Sequence, residues 1–116
     1  MNLLQYQGGI SLRELDRHLR RVPVSPGVYV VTNDEKEIIY IGKGLNLRNR
    51  LRQLVRYGQR LGTNHKGGRK MWTMQGIWDD SRVFYRVVAD ARAEEKKLIL
   101  AYEREHKQLP FANKYH

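Results

Sequence analysis

Gly27-Val-Tyr-Val-Val-Thr32, then Asn33-Asp-Glu-Lys36, then Glu37-Ile-Ile-Tyr-Ile-Gly42 is the stretch on which the fold turns. Its outer segments are dense in β-branched and aromatic residues, which suit a pleated, half-buried surface. The polar tetrad between them is turn-forming, so the spacing predicts a β-hairpin. A turn symmetric about Asp34 and Glu35 pairs Val31 with Ile38, Tyr29 with Tyr40 and Gly27 with Gly42. That register makes the two tyrosines neighbours on one face, and a one-residue bulge would shift it.

Working outward, Asn46 supplies an N-cap for a helix to about Tyr57, with Leu47, Leu51, Leu54 and Val55 on one stripe. Arg48, Arg52 and Arg56 project away from that stripe, whereas Arg50 lies at its opposite edge with Gln53 and Tyr57. Gly58 to Arg69 reads as a loop, followed by a short helix through Met71, Trp72 and Met74. Arg82-Val-Phe-Tyr-Arg-Val-Val88 reads as a third strand, and Ala91 to about Lys107 as the longest helix, ended at Leu109-Pro110. Upstream of the hairpin, Ser11-Leu-Arg-Glu14 has the form of a capping box opening a helix to about Arg21, with Leu12, Leu15 and Leu19 on one face. The expected organisation is a helical extension over 1–22 and one α/β (α+β) domain over 23–116, with helices flanking a small three-stranded antiparallel sheet.

The chain has 116 residues, 22 Lys+Arg against 12 Asp+Glu, and a formal charge of +10. No run is apolar enough to span a bilayer at a mean hydropathy of −0.70. Met1 to Ile10 lacks the pattern of a secretory signal, so a cytoplasmic protein with no membrane partner is expected. With no Cys and four scattered His, a thiolate nucleophile, a zinc finger and an iron–sulfur site are excluded. From Ile38 to Trp78 there is no acid, yet Lys43, Arg48, Arg50, Arg52, Arg56, Arg60, Lys66, Arg69 and Lys70 all fall there. Such a block concentrates positive potential and favours a polyanion, nucleic acid first. A solvated basic face is the plain alternative.

On the last helix, Ala91, Leu98, Ile99 and Tyr102 define the inward face, with Glu95 near its middle and Glu94 off to one side. A carboxylate on a core face needs a partner: a basic side chain such as Arg50 or Lys43, a hydrogen-bond donor, or a metal ion.

Gly27-Val-Tyr29, Tyr40-Ile-Gly42-Lys43, Leu47-Arg-Asn-Arg50-Leu51, Glu95-Lys-Lys-Leu-Ile99 and Leu109-Pro-Phe-Ala-Asn113 together resemble the GIY-YIG nuclease family in order and spacing. The match runs from Gly27 to Asn113, and its one departure is Val for Ile in the first motif. The resemblance implies a metal-dependent endonuclease, a hydrolase of DNA phosphodiesters using one divalent cation, Mg²⁺ or Mn²⁺. It implies Glu95 as the metal-binding carboxylate, Arg50 as the contact to the scissile phosphate, Tyr29 and Tyr40 as the paired tyrosines, and Asn113, Gly27 and Gly42 in support. In-line attack of water on phosphorus suits this set. Tyr40 is the expected base, its proton loosened by a cation such as Lys43, with Tyr29 as positioning or relay partner and His65 as the alternative base. Arg48, Arg52, Arg56, His65, Lys66, Arg69 and Lys70 are the expected nucleic-acid contacts, to a duplex or a branched DNA. RNA stays open as a substrate, and a homodimer is one route to specificity. The alternative function is a non-catalytic nucleic-acid-binding module on the same fold, which would not need Glu95.

Overall fold

The computed structural model describes residues 2–56 and 80–115. Four strands, β1 (Gln7–Ser11), β2 (Gly27–Thr32), β3 (Ile38–Gly44) and β4 (Arg82–Val87), form one antiparallel sheet in the order β1-β4-β2-β3. Two α-helices, α1 (Leu47–Arg56) and α2 (Ala91–His106), and two 3-10 helices, Leu15–Arg21 and Phe111–Tyr115, complete the described elements.

Strand alternation sorts the sheet into two covered faces. Tyr29, Val31, Tyr40, Val83 and Tyr85 join Leu47, Leu51 and Leu54 of α1 and Leu15 and Leu19 of the 3-10 helix in one buried cluster. Val28, Val30 and Ile41 are fully buried on the other face, toward α2. Strand β2 is buried at every position because it is central and covered on both sides. Each fully buried aliphatic side chain contributes about 1.5–3 kcal/mol of transfer free energy, and these layers hold the site in place.

The start of α1 is tightly sealed. Asn46 caps it, its Oδ1 accepting from the Asn49 N–H at 3.0 Å. The Leu47 and Arg48 N–H groups donate to the carbonyls of Ser25 and Pro23, each at 3.0 Å. Backbone donors that would otherwise need water are thereby paired, and the Pro23–Pro26 corner is tied to the helix. Helix α2 opens on Asp90, whose carboxylate accepts from the Ala93 N–H, and closes on Lys107 in the left-handed region.

Three expectations are corrected. The sheet has four strands, because residues 7–11 pair with β4. The helix expected to open at Ser11 is a 3-10 helix that begins at Leu15. The Ser11 side chain accepts from the Arg13 N–H at 3.3 Å, so it closes a turn at the end of β1 instead of capping a helix. Leu12, Leu15 and Leu19 still face the core. In the hairpin, Tyr29 pairs with Gly42, Val31 with Tyr40 and Gly27 with Gly44, two residues from the expected register, with a bulge before Thr32 pairs with Ile38. The cause is a wider turn: the Asn33 Oδ1 accepts from the N–H groups of Glu35 and Glu37, and Lys36 takes a φ of 65°.

The loop over Gly58 to Arg69, the short helix through Met71, Trp72 and Met74, and the end of the first helix at Tyr57 lie outside the described residues.

Candidate active site

Tyr29 on β2 and Tyr40 on β3 remain same-face neighbours despite the register, because a shift of two keeps strand parity. Their ring centroids are 5.9 Å apart at 41°. Gly42 stands opposite Tyr29 because a Cβ there would strike the Tyr29 ring and hydroxyl. Gly27 is required in the same way: a Cβ would meet the Arg86 carbonyl and the Leu47 side chain. The two motif glycines thus allow close approach of strand to ring and of strand to helix.

Arg50 projects from α1 toward the tyrosines and donates a hydrogen bond to the Tyr29 hydroxyl, which also accepts from Tyr40. The same guanidinium donates through a terminal nitrogen to the Gln53 side chain at 2.7 Å. Gln53 was not among the expected site residues. Its signal was its place three residues after Arg50 on the same helix edge, where side chains meet.

Glu95 comes from α2 and is half-buried, its side chain 16% exposed. Its Oε1 lies 3.3 Å from the Lys43 Nζ, so the partner the carboxylate needs is, in this state, one of the two cations expected from sequence. Glu94, expected to point aside, faces Arg86 at 3.8 Å.

Burial pushes the Tyr29 phenol up to about 12, against the opposing pull of the Arg50 charge. Burial, then the Tyr29 phenol beside it, pushes Tyr40 still further up, with Arg50 again the opposing cation. The Glu95 charge raises both. Lys43, the cation expected to loosen the Tyr40 proton, is turned to Glu95, and Arg50 is the cation whose charge opposes the rise of both phenols. With protein groups alone both phenols stay protonated at neutral pH.

Asn113 is the site's clamp. Its Oδ1 accepts from the Ile41 N–H and its Nδ2 donates to the Ile41 carbonyl, both at 2.8 Å and buried. Strand β3 is an edge of the sheet, so one side chain takes the place of a neighbouring strand between Tyr40 and Gly42.

The basic row of α1 is differently disposed. Arg48 donates through Nε to the Val22 carbonyl at 2.9 Å and through a terminal nitrogen to Arg20 at 3.1 Å. Arg52 donates to the Asn49 side chain at 2.8 Å, and Arg56 pairs with Asp16 at 3.0 Å. His65, Lys66, Arg69 and Lys70 lie outside the described residues, as do Trp72 and Trp78.

Among the described residues no three His, Cys, Asp or Glu side chains converge as a metal cage. Glu95 is a single hard oxygen donor. One carboxylate fits an Mg²⁺-like ion that keeps several waters and leaves room for a phosphate oxygen, and does not fit a fully protein-caged metal. No helix among the described residues is long and apolar enough to cross a membrane.

A family model described as the UvrC-like GIY-YIG domain matches residues 25–103. UvrABC system protein C of Alkaliphilus oremlandii is 52% identical over 40 residues, 34% of this chain and 6% of that protein. Its counterpart in Chlorobium chlorochromatii is 39% identical over 61 residues, 53% of this chain and 10% of that protein. The chain thus spans a tenth or less of these curated relatives. Among solved structures, the GIY-YIG N-terminal endonuclease domain of UvrC from Thermotoga maritima, bound to its catalytic magnesium, superposes with a TM-score of 0.54 at 23% identity, over 85% of this chain and 94% of that one. A Tyr-to-Phe point mutant of that domain, also bound to the catalytic divalent cation, gives the same TM-score at 22% identity. These likenesses show a shared fold.

Proposed function

Because the chain belongs to the UvrC-like GIY-YIG domain family, we propose that it is a divalent-cation-dependent endonuclease domain that hydrolyses DNA phosphodiesters. The observation that carries the reading is the convergence of Arg50, hydrogen-bonded to a buried tyrosine pair, with the half-buried Glu95 carboxylate whose charge both phenols feel.

In this reading Arg50 binds the scissile phosphate. Its guanidinium is held by both Tyr29 and Gln53, so the donors are fixed before the substrate arrives. Fixed donors cost no reorganisation as charge grows on the phosphoryl oxygens during in-line attack. Glu95 would hold the Mg²⁺ or Mn²⁺ ion, which when bound supplies Lewis acidity at the leaving oxygen. Lys43 aims the carboxylate through its 3.3 Å ion pair, and exchanges that contact as the site fills. Tyr29 and Tyr40 act as protonated hydrogen-bonding groups that orient Arg50 and the attacking water. Asn113 holds the strand that carries Tyr40.

The Lys43–Glu95 ion pair favours a second reading, a nucleic-acid-binding module in which the carboxylate is neutralised by lysine. Incubation with supercoiled plasmid and labelled branched DNA, in Mg²⁺, Mn²⁺ or EDTA, separates the two. Nuclease chemistry gives metal-dependent cutting that Glu95→Ala abolishes while metal-free binding persists. Salt-sensitive binding without cutting in any metal would establish the module instead.

A further inference from the structure

The function proposed above leaves most of α2 unused. Its outer face carries Arg92, Lys96, Lys97 and Arg104, all exposed, with Ala93, Leu100 and Ala101 between them. At about 100° per residue, Glu94 and Glu95 of the same turns are rotated off that face. They are held by Arg86 at 3.8 Å and Lys43 at 3.3 Å, so they do not neutralise it. Glu103 is the one acid that shares the face. The four cations make no hydrogen bond or ion pair with any other described residue. On α1 the contrast is plain, for Arg48 is bound to two carbonyls and Arg56 to Asp16.

We propose that the outer face of α2 is the surface along which a nucleic-acid duplex lays its phosphate backbone as it leaves the site at Glu95. This inference rests on the nuclease reading for its ligand and adds where that ligand runs. Placement supports it: Arg92, three residues before Glu95, lies about 60° round the helix from it, so the cationic face begins beside the proposed metal ligand. Reach supports it too. Arg92 to Arg104 spans about 18 Å at 1.5 Å per residue, some five base-pair steps of about 3.4 Å. Ala93 and Ala101 are small, and Leu100, 47% exposed, adds an apolar side chain beside the cations. Contacts of this kind set position and affinity and carry no sequence information.

The test is duplex binding measured by fluorescence anisotropy over a series of salt concentrations, in EDTA, for the whole chain. Substituting K96A/K97A/R104A should weaken low-salt binding at least about tenfold and lower the slope of log affinity against log salt by about 2–3, at about 0.9 per lost phosphate contact. A charge-matched control, R17A/R21A/K36G, removes three cations away from α2 and should lower the slope by less than about 1. Alanine is a strong helix former at exposed positions, and K96Q/K97Q/R104Q serves if the alanine variant loses its far-ultraviolet helix signal. A wild-type slope in the α2 variant, or an equal loss in the control, overturns the inference and leaves the nuclease reading standing. Wild-type protein that shows no salt-dependent duplex binding overturns both.

Discussion

Arg50 and Arg48 sit two residues apart on α1, carry the same charge, and have opposite fates. Arg50 is turned to the tyrosine pair, with its guanidinium held by Tyr29 and Gln53. Arg48 is turned to the Pro23–Pro26 corner, where the Val22 and Arg20 carbonyls accept its protons. Charge in a sequence therefore measures potential, and only the partners of each side chain decide which cation is turned to the candidate site and which one staples the fold.

The sharpest way to break this comparison is to remove each cation in turn. Arg50→Ala should lower the single-turnover cleavage rate about a hundred- to a thousand-fold, the range for removing one fixed donor from developing oxyanion charge, with little change in melting temperature. Arg48→Ala should do the reverse, lowering stability by about 1–2 kcal/mol for charge-assisted bonds to one part-buried and one exposed carbonyl and leaving turnover within a few-fold. Equal losses of turnover would mean that both faces of α1 touch the reacting phosphate.

A second prediction concerns what holds the site against its open edge. Asn113→Ala strips the Ile41 N–H and carbonyl of their partner inside the chain, at a cost of about 1–3 kcal/mol for each group left unpaired. Chemical denaturation should show that loss, and cleavage at temperatures where the variant is folded should fall because β3 no longer holds Tyr40 in register. Full activity at unchanged stability would reduce Asn113 to a bystander.

Much of this was legible from residue order. The hairpin, the Arg82–Val87 strand, the Asn46 cap and the inward Glu95 all follow from local rules of periodicity and capping. The failures have local causes too. Strand β1 contains Gly8 and Gly9, both at positive φ around a bulge, which strips it of strand signal, and the Ser11–Glu14 spacing imitates a helix start. The hairpin register slipped by two because Lys36 takes a left-handed turn position without the glycine that would announce it. The tyrosine pairing survived that error because face is a matter of parity. What residue order could not carry is contact at long range: the Asn113 amide meets a backbone 72 residues away, and of the two cations named for Glu95 the fold picks Lys43, at a separation of 52.

The tyrosine pair gives a third prediction, in pH. Burial raises both phenols, so the folded chain holds those protons to higher pH than the unfolded chain, where the ordinary value is about 10. The stabilisation from this source is complete below about pH 10 and is lost as pH rises through that value toward the folded one, about 12 for Tyr29. Melting temperature should therefore decline through this window, with phenolate absorbance lagging that of the denatured chain. Tyr29→Phe should flatten the decline. A folded protein that titrates like its denatured form would mean that the pair is open to water.

The smallest expected effect lies at the outer end of α1. The Arg56–Asp16 pair is half-exposed at both partners, 53% and 48%, so water screens most of its attraction. Arg56→Ala should cost less than about 1 kcal/mol of stability, and Asp16→Ala about as little. The two substitutions differ in what they do to nucleic acid. Losing Arg56 removes one cation and should lower the salt slope of duplex binding by about 0.9 if that side chain leaves Asp16 for a phosphate, and by nothing if it does not. Losing Asp16 frees Arg56 and should raise affinity in the first case alone. Opposite signs for this pair of variants would return the outer end of α1 to the binding surface. Matching null results would confine α1's part in recognition to Arg50 and Arg52, and leave the duplex to the other side of the sheet.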